Sequence, residues 1–297
     1  MLNDMSNHYS HKLWRHTWPA PAKINLFLHV VGRRADGLHL LQTVFRFLDF
    51  GDSLSFAPRA DGKIVLTTPL PGVPPELDLT VRAAQRLQQT AGLRQGVEIS
   101  LVKRLPMGGG LGGGSSDAAT VLLALNHLWQ ARLSSAELQK LGLELGADVP
   151  IFIHGHAAFA EGVGERFSDV DLPPAWYLVL TPPVAVPTAQ IFKAAELRRD
   201  TPVIAADAWR PGMGDNDLEA VACRLYPEVA QHLDWLRQFA PARMSGSGAC
   251  VFAEFAEFAE FNGEVAARRA HAALPPSMQG FVARGLDRNP ALTMLAD

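Results

Sequence analysis

Six of the seven residues from Gly108 to Gly114 are glycine, and Ser115 and Ser116 follow them. A phosphate needs several backbone N–H groups converging on it, and glycine lets the chain come close without a side-chain clash. The run begins at Pro106-Met107, directly after a strand-like segment at 97–103. Beyond it, Ala118, Val121, Leu122 and Leu125 have helical spacing over 115–128. Strand, glycine loop and helix N-terminus in that order make an anion cradle, because the free N–H groups and the dipole of a helix start favour negative charge. Ser115 and Ser116 offer a helix cap, further donors, or a ligand for a magnesium ion carried by ATP. A flexible linker is the competing reading, but a buried strand and an apolar helix hem the run in on both sides.

Three known phosphate patterns can be compared with it. Gly109 and Gly114 have P-loop spacing, yet Ser115 stands where that loop needs lysine. Gly108, Gly110 and Gly113 satisfy G-x-G-x-x-G, so a dinucleotide enzyme stays open; the acidic residue it requires about 20 positions on would be Glu137, which reads as part of a helix cap. Asp49-Phe50-Gly51 spells a protein-kinase triplet, but no His-Arg-Asp follows the glycine loop and the chain order is wrong.

Two further residues could do chemistry. Lys23 is a lone cation in the apolar strand 22–31 and needs a partner there, unless its stem snorkels to the surface. Asp148 lies in Gly-Ala-Asp-Val-Pro, where the bland role is a turn or a cap. The elements that would position them are a turn at 33–37, strands at 40–56 and 63–68, a helix at 79–91, and a helix at 135–145. That last helix opens on a Ser-Ser-Ala-Glu capping box and stops at Gly146. Pro150 is expected to open a strand-like stretch. Prolines bracket the strand Trp-Tyr-Leu-Val-Leu, and a domain junction is expected near 160–170. The period-three run FAEFAEFAEF at 252–261 suits neither a helix face nor a strand and reads as a tolerated local duplication.

Composition narrows the partners. The chain has 297 residues, enough for two domains, with 48% apolar and 19% charged residues and a formal net charge of −3. No electrostatic footprint for nucleic acid or anionic lipid results, and a small neutral-to-acidic molecule is the expected partner. Cys223 and Cys250 lack metal-ligand or disulfide-framework spacing, so no protein-held metal is expected. No apolar run approaches the roughly 18 to 20 residues of a membrane helix, and no signal pattern opens the chain, so the cytoplasm is the expected location. Residues 1–18, with His8, His11 and His16, are expected to form a flexible extension, not a metal site.

The stretch PMGGGLGGGSSDAA resembles the phosphate loop P-x-x-x-G-L-G-S-S-A-A of the GHMP small-molecule kinases. PAKINLFLHVVGRRADGLH near the start and MSGSGACVF near the end extend the resemblance, in family order, over residues 19–252. It implies an α+β fold of two domains, 1–165 and 166–297. The first would be ribosomal-protein-like with a left-handed βαβ crossover, against the usual right-handed rule, and the second ferredoxin-like. It implies ATP with Mg2+ carried by the nucleotide, cradled by Pro106, Met107, Gly108, Gly109, Gly110 and Leu111, and by Gly112, Gly113, Gly114, Ser115 and Ser116. Ser245-Gly246-Ser247-Gly248 would pack near that loop, while Asp215-Asn216-Asp217 has a family counterpart with no role to derive. Lys23 and Asp148 become the catalytic pair. In a loose phosphoryl transfer, alignment and charge stabilisation dominate, so Asp148 would orient the acceptor hydroxyl and accept its proton late while Lys23 stabilises charge.

Within the family, GADVPIFIHGHAAFAEGVGE and VPTAQIFKA resemble the branch that phosphorylates the 2-hydroxyl of a cytidine-diphosphate-linked methylerythritol in non-mevalonate isoprenoid synthesis. That likeness places Asn25 near the methylerythritol, His39 at the cytosine and Phe192 stacked on the base. The bland alternatives are a satisfied buried amide, a loop histidine and a core phenylalanine. The branch reads Asp-Gly-Tyr-His where this chain has Leu38 before His39, so an aromatic wall of the base site is missing. A family kinase for another alcohol, or a non-catalytic nucleotide binder, remains the alternative; holding both Lys23 and Asp148 argues against the binder. A monomer or homodimer, without nucleic acid or membrane, is expected.

Overall fold

The structure, a computed structural model, describes residues 14–295. Two long antiparallel strands, β1 (Trp18–Arg33) and β2 (His39–Arg59), form its spine, joined by a turn in which Gly37 takes φ +90°. Almost every residue of β1 from Trp18 to Val30 is buried on both faces, which is why this strand reads as an unbroken apolar run and a cation within it stands out. The β1–β2 register shifts three times, between Pro21 and Lys23, between Asn25 and Leu28, and between Val30 and Gly32. Bulges of this kind re-aim side chains, and Lys23 and Asn25, two residues apart on one strand face, sit in the segment between the first two shifts.

β3 (Ile64–Leu66) runs parallel to β4 (Gly96–Val102), with α1 (Leu79–Thr90) between them; the Asp78 carboxylate accepts from Thr80 N to cap α1. Then come α2 (Gly113–Leu128), α3 (Ser135–Leu145), α4 (Val149–His154), β5 (Ala158–Glu161), β6 (Arg166–Asp169) and β7 (Ala175–Leu180). The chain continues through α5 (Thr188–Lys193), α6 (Glu219–Leu225), α7 (Pro227–Leu236), β8 (Ala242–Met244) and β9 (Val251–Ala256). It ends with α8 (Gly263–Ala272), β10 (Gly280–Leu286) and α9 (Pro290–Thr293). The sheet runs β3-β4-β2-β10-β7-β9-β8, with β1 and β5 also paired to β2 and β6 paired to β5. β10 is the link: it pairs with β7 over residues 280–284 and with β2 at Gly285 and Leu286.

One buried cluster packs α1 to α4 against β1, β2 and β4, and a second packs α6 to α8 against β7 to β9. A third, around Phe27, Phe159, Tyr177 and Phe252, lies between them.

Four local readings change. Trp18 belongs to β1 and is fully buried against Phe56, because its indole fills the end of the first cluster; residues 1–13, with His8 and His11, lie outside the described residues. α2 starts earlier than Ser115, its cap position being Gly112 in the left-handed region with no side-chain capping bond. The stretch opened by Pro150 is helix α4, not a strand, since proline fits the first helical turn where its missing N–H costs nothing. The period-three run also splits: β9 ends at Ala256 and a turn bridges Phe258 to Phe261. Three residues apart on a strand means opposite faces, so Phe252 enters the third cluster and Phe255 the second. Among the described residues, no helix is long and apolar enough to cross a membrane.

Candidate active site

The glycine loop is held from below by β1 and by the loop between β8 and β9. Lys23 N donates to the Leu111 carbonyl at 2.9 Å, Cys250 N to that of Gly109 at 3.0 Å, and the buried Ser245 hydroxyl to that of Gly110 at 3.0 Å. A Cβ on Gly110 would overlap the Ser245 carbonyl, and one on Gly112 would press Lys23 Cγ and Cε at 3.1 Å and the Phe152 ring at 3.0 Å. Both glycines also have positive φ, so backbone approach and backbone angle demand glycine together. Gly113 and Gly114 begin α2, leaving that helix's first N–H groups directed into the cleft.

A cavity of about 510 Å³ opens over this loop. Lys23, Asn25 and Asp148 line it together with Pro106, Met107, Gly108 and Gly109, with Gly110 and Gly112 to Ser115, and with Phe192 at the α5 side. Leu111 and Ser116 point elsewhere: Leu111 is buried in the third apolar cluster, and the Ser116 hydroxyl is buried without a partner. Leu38 and His39 do not line the cavity. Leu38 is 51% exposed at the turn between β1 and β2, and the His39 ring lies 4.8 Å from that of Phe192, which does line it.

Lys23 is fully enclosed, with its ammonium donating to Asn25 Oδ1 at 2.7 Å and 3.1 Å from Asp148 Oδ2. Asn25 Nδ2 donates to Thr43 Oγ1 at 2.9 Å, and Thr43 in turn donates to the Phe27 carbonyl, so the amide orientation is fixed. Asp148 occupies the cap position of α4 but makes no capping bond there, leaving its carboxylate free for Lys23 and for the cavity. An ammonium has three donors and two are engaged, so the third is available to a ligand.

A second charged group, Lys103 with Asp117, also lines the cavity, beside Gly113. The Lys103 ammonium bridges the Asp52 and Asp117 carboxylates, at 2.8 Å from Asp117 Oδ2, and Asp52 Oδ1 also accepts from Arg104 N and Leu105 N. Burial, with the Asp52 charge adding to it, pushes the Asp117 carboxyl up to about 7, although Lys103 opposes the shift. The paired carboxylates hold the Lys103 ammonium above its ordinary value despite its own burial. Among the described residues, no three histidine, cysteine or carboxylate groups are placed to hold a metal ion.

The model of the GHMP kinases N terminal domain matches residues 78–156, and that of the GHMP kinases C terminal matches 198–275. Two curated relatives named 4-diphosphocytidyl-2-C-methyl-D-erythritol kinase align along nearly their whole length. The one from Dechloromonas aromatica is 64% identical over 92% of this chain and 98% of its own, and the one from Thiobacillus denitrificans is 61% identical over 92% and 96%. The chain belongs to the GHMP kinase family.

This GHMP kinase is accordingly an ATP-dependent small-molecule kinase with the two-domain α+β fold of the family. A crystal structure described as 4-(cytidine 5'-diphospho)-2C-methyl-D-erythritol kinase superposes with a TM-score of 0.77 at 37% identity, over 91% of this chain and 99% of its own. A mevalonate kinase structure shares the fold at 13% identity and a TM-score of 0.63, over 92% of this chain and 100% of its own.

Several residues that shape the kinase's site take no role from the motifs alone. Asn216 Nδ2 donates to the carbonyls of Met244 and Gly246 at 2.8 Å each, tying the β8–β9 loop in place, and Asp217 Oδ2 accepts from Val30 N and Thr201 Oγ1 at 2.7 Å. This gives Asp215-Asn216-Asp217 a structural role: it anchors β1 to the loop that supports the glycines. Asp117 had a signal in the departure from the family's alanine, and Asp52 directly follows the dismissed Asp49-Phe50-Gly51 triplet.

Proposed function

We infer that this kinase transfers the γ-phosphoryl group of ATP to the 2-hydroxyl of 4-diphosphocytidyl-2-C-methyl-D-erythritol, giving the 2-phosphate and ADP in non-mevalonate isoprenoid synthesis. The observation that carries the reading is the enclosed Lys23 ammonium, 3.1 Å from a carboxylate that opens onto the cavity and directly beside the glycine loop. Relatives named for this reaction, similar from end to end, supply the acceptor.

The loop from Pro106 to Ser115 cradles the nucleotide phosphates with its backbone N–H groups, and the α2 N-terminus adds its dipole. The Ser115 hydroxyl, in the first turn of α2 and on the cavity wall, fits an Mg2+ that arrives on the nucleotide; when bound, the ion neutralises charge on the phosphate oxygens. Asp148 orients the acceptor hydroxyl and takes its proton as the O–P bond forms, and Lys23 stabilises the charge that develops between them. Asn25 holds Lys23 in line. His39 and Phe192 receive the cytosine, with Leu38 covering the face where the branch carries tyrosine. The ATP-binding domain reaches to residue 165, and the second domain begins at 166.

ADP release from ATP and magnesium, with the cytidylated methylerythritol set against mevalonate, homoserine and galactose, tests the assignment. Release with the cytidylated acceptor alone is expected, and release with one of the other alcohols instead would overturn it.

A further inference from the structure

His39 is fixed by a single cation. Arg199 Nε donates to His39 Nε2 at 3.2 Å, while the rest of the guanidinium wraps the end of α5: Nη2 donates to the carbonyls of Phe192 at 2.9 Å and Ala194 at 2.8 Å, and Nη1 to that of Leu197 at 2.9 Å. One side chain thereby ties the first residue of β2 to the segment that presents Phe192 to the cavity. The two rings it holds lie 4.8 Å apart and tilted by 32°.

A guanidinium only donates, so the His39 Nε2 it faces must offer a lone pair. An imidazolium would set N–H against N–H, and the neutral ring must carry its proton on Nδ1, which makes no other hydrogen bond among the described residues. The surroundings agree: burial and then the Arg199 and Arg33 charges hold the imidazole below its ordinary value, so it stays neutral near pH 7. An aromatic ring with a fixed donor beside it suits a base that offers acceptors. Both bases present O2 as an acceptor on the pairing edge, but N3 is an acceptor in cytosine and an N–H donor in uracil, so a donor that faces N3 tells them apart. A donor-only nitrogen accepts the cytosine edge and leaves the uracil edge with opposed hydrogens, a mismatch that polar sites reject strongly.

We propose that Arg199 is a positioning and specificity residue of the acceptor site, holding His39 as an Nδ1–H donor beside Phe192 so that the kinase selects cytidine over uridine in its acceptor. The proposal rests on the cytidylated acceptor inferred above.

Two measurements test it on the full chain. In protein labelled with 15N-histidine, long-range 1H–15N spectra should show a neutral Nδ1–H ring that vanishes in His39→Gln and shifts to the commoner Nε2–H form in Arg199→Met. In steady state, Arg199→Met should raise KM for the cytidylated acceptor about tenfold, leave kcat and the KM for ATP within about threefold, and shrink the preference over the uridine-diphosphate-linked analogue by a similar factor. Arg199→Lys, which keeps a donor but loses the fork that grips the carbonyls, should fall between. Should Arg199→Met fail to fold, the wild-type His39 tautomer and Arg199→Lys still decide. An Nε2–H ring in the wild type, or an unchanged cytidine-to-uridine ratio in a folded Arg199 variant that turns over the cytidylated acceptor, overturns the proposal alone. Wild-type enzyme that ignores the cytidylated acceptor and phosphorylates another alcohol overturns the assigned function and the proposal with it.

Discussion

The Lys23 ammonium and the Asp148 carboxylate lie 3.1 Å apart on opposite sides of a burial boundary, the lysine side chain 3% exposed and the aspartate 38%. Removing the two members therefore has different consequences. Lys23→Met deletes the enclosed charge together with its function, so the fold should hold while turnover falls by two orders of magnitude or about that. Asp148→Ala leaves an enclosed ammonium with Asn25 as its remaining partner and should cost about 1–3 kcal/mol of stability, less than for a fully buried pair. Urea unfolding of both variants checks this; an equal loss in both would contradict it.

The glycine loop separates positions that need glycine from one that does not. In Gly110→Ala the new methyl overlaps the Ser245 carbonyl at a positive φ, so a loss of about 1–3 kcal/mol and weaker ATP binding are expected. Gly114 is helical, with an added Cβ in ordinary contact with Leu79, so Gly114→Ala should be neutral or stabilise by up to about 1 kcal/mol. Thermal unfolding of the pair tests the contrast, and a Gly110→Ala protein as stable as wild type would refute the packing of the loop on the β8–β9 turn.

Asp117 makes stability depend on pH. Its folded carboxyl is raised to about 7 by burial, far above the ordinary carboxylate value it has in the unfolded chain. The folded state then holds a proton that the unfolded state has lost, so the contribution is fully present in acid and disappears as pH rises through about 7. Asp117→Asn keeps an acceptor for Lys103 without the charge. Its urea midpoint should gain on wild type between pH 5 and pH 8; parallel pH profiles would show that Asp117 is ionised throughout.

Much of the layout was legible because local chemistry and tertiary demand agree. The Ser134–Glu137 capping box is formed on both sides, and the glycines follow a strand and open a helix. The Pro150 segment misled because a short apolar run suits a buried strand and a buried helix equally, and only packing decides between them. The Lys103, Asp52 and Asp117 cluster was not legible as a cluster, whatever signal Asp117 carries alone: its members come from the end of β4, the middle of β2 and the second turn of α2, and only the folded sheet joins them. Arg199 is hidden for the same reason, lying 160 residues from its imidazole partner.

The base site should be weaker than its aromatic counterpart. Leu38 stands 51% exposed where the family branch carries tyrosine. An aromatic stack is worth about 0.5–1.5 kcal/mol beyond the area it buries, so Leu38→Tyr should lower KM for the cytidylated acceptor by about two- to tenfold with kcat unchanged. An unchanged KM would mean that residue 38 does not cover the base.

The most direct test of the account is rapid-quench phosphoryl transfer by Asp148→Asn, which preserves shape and polarity but not the base. Acceptor and ATP affinities should stay within about threefold of wild type while the transfer step slows by about 100- to 10,000-fold. Transfer at a rate within a few-fold of wild type would contradict it, and would move the chemistry away from the Lys23–Asp148 pair.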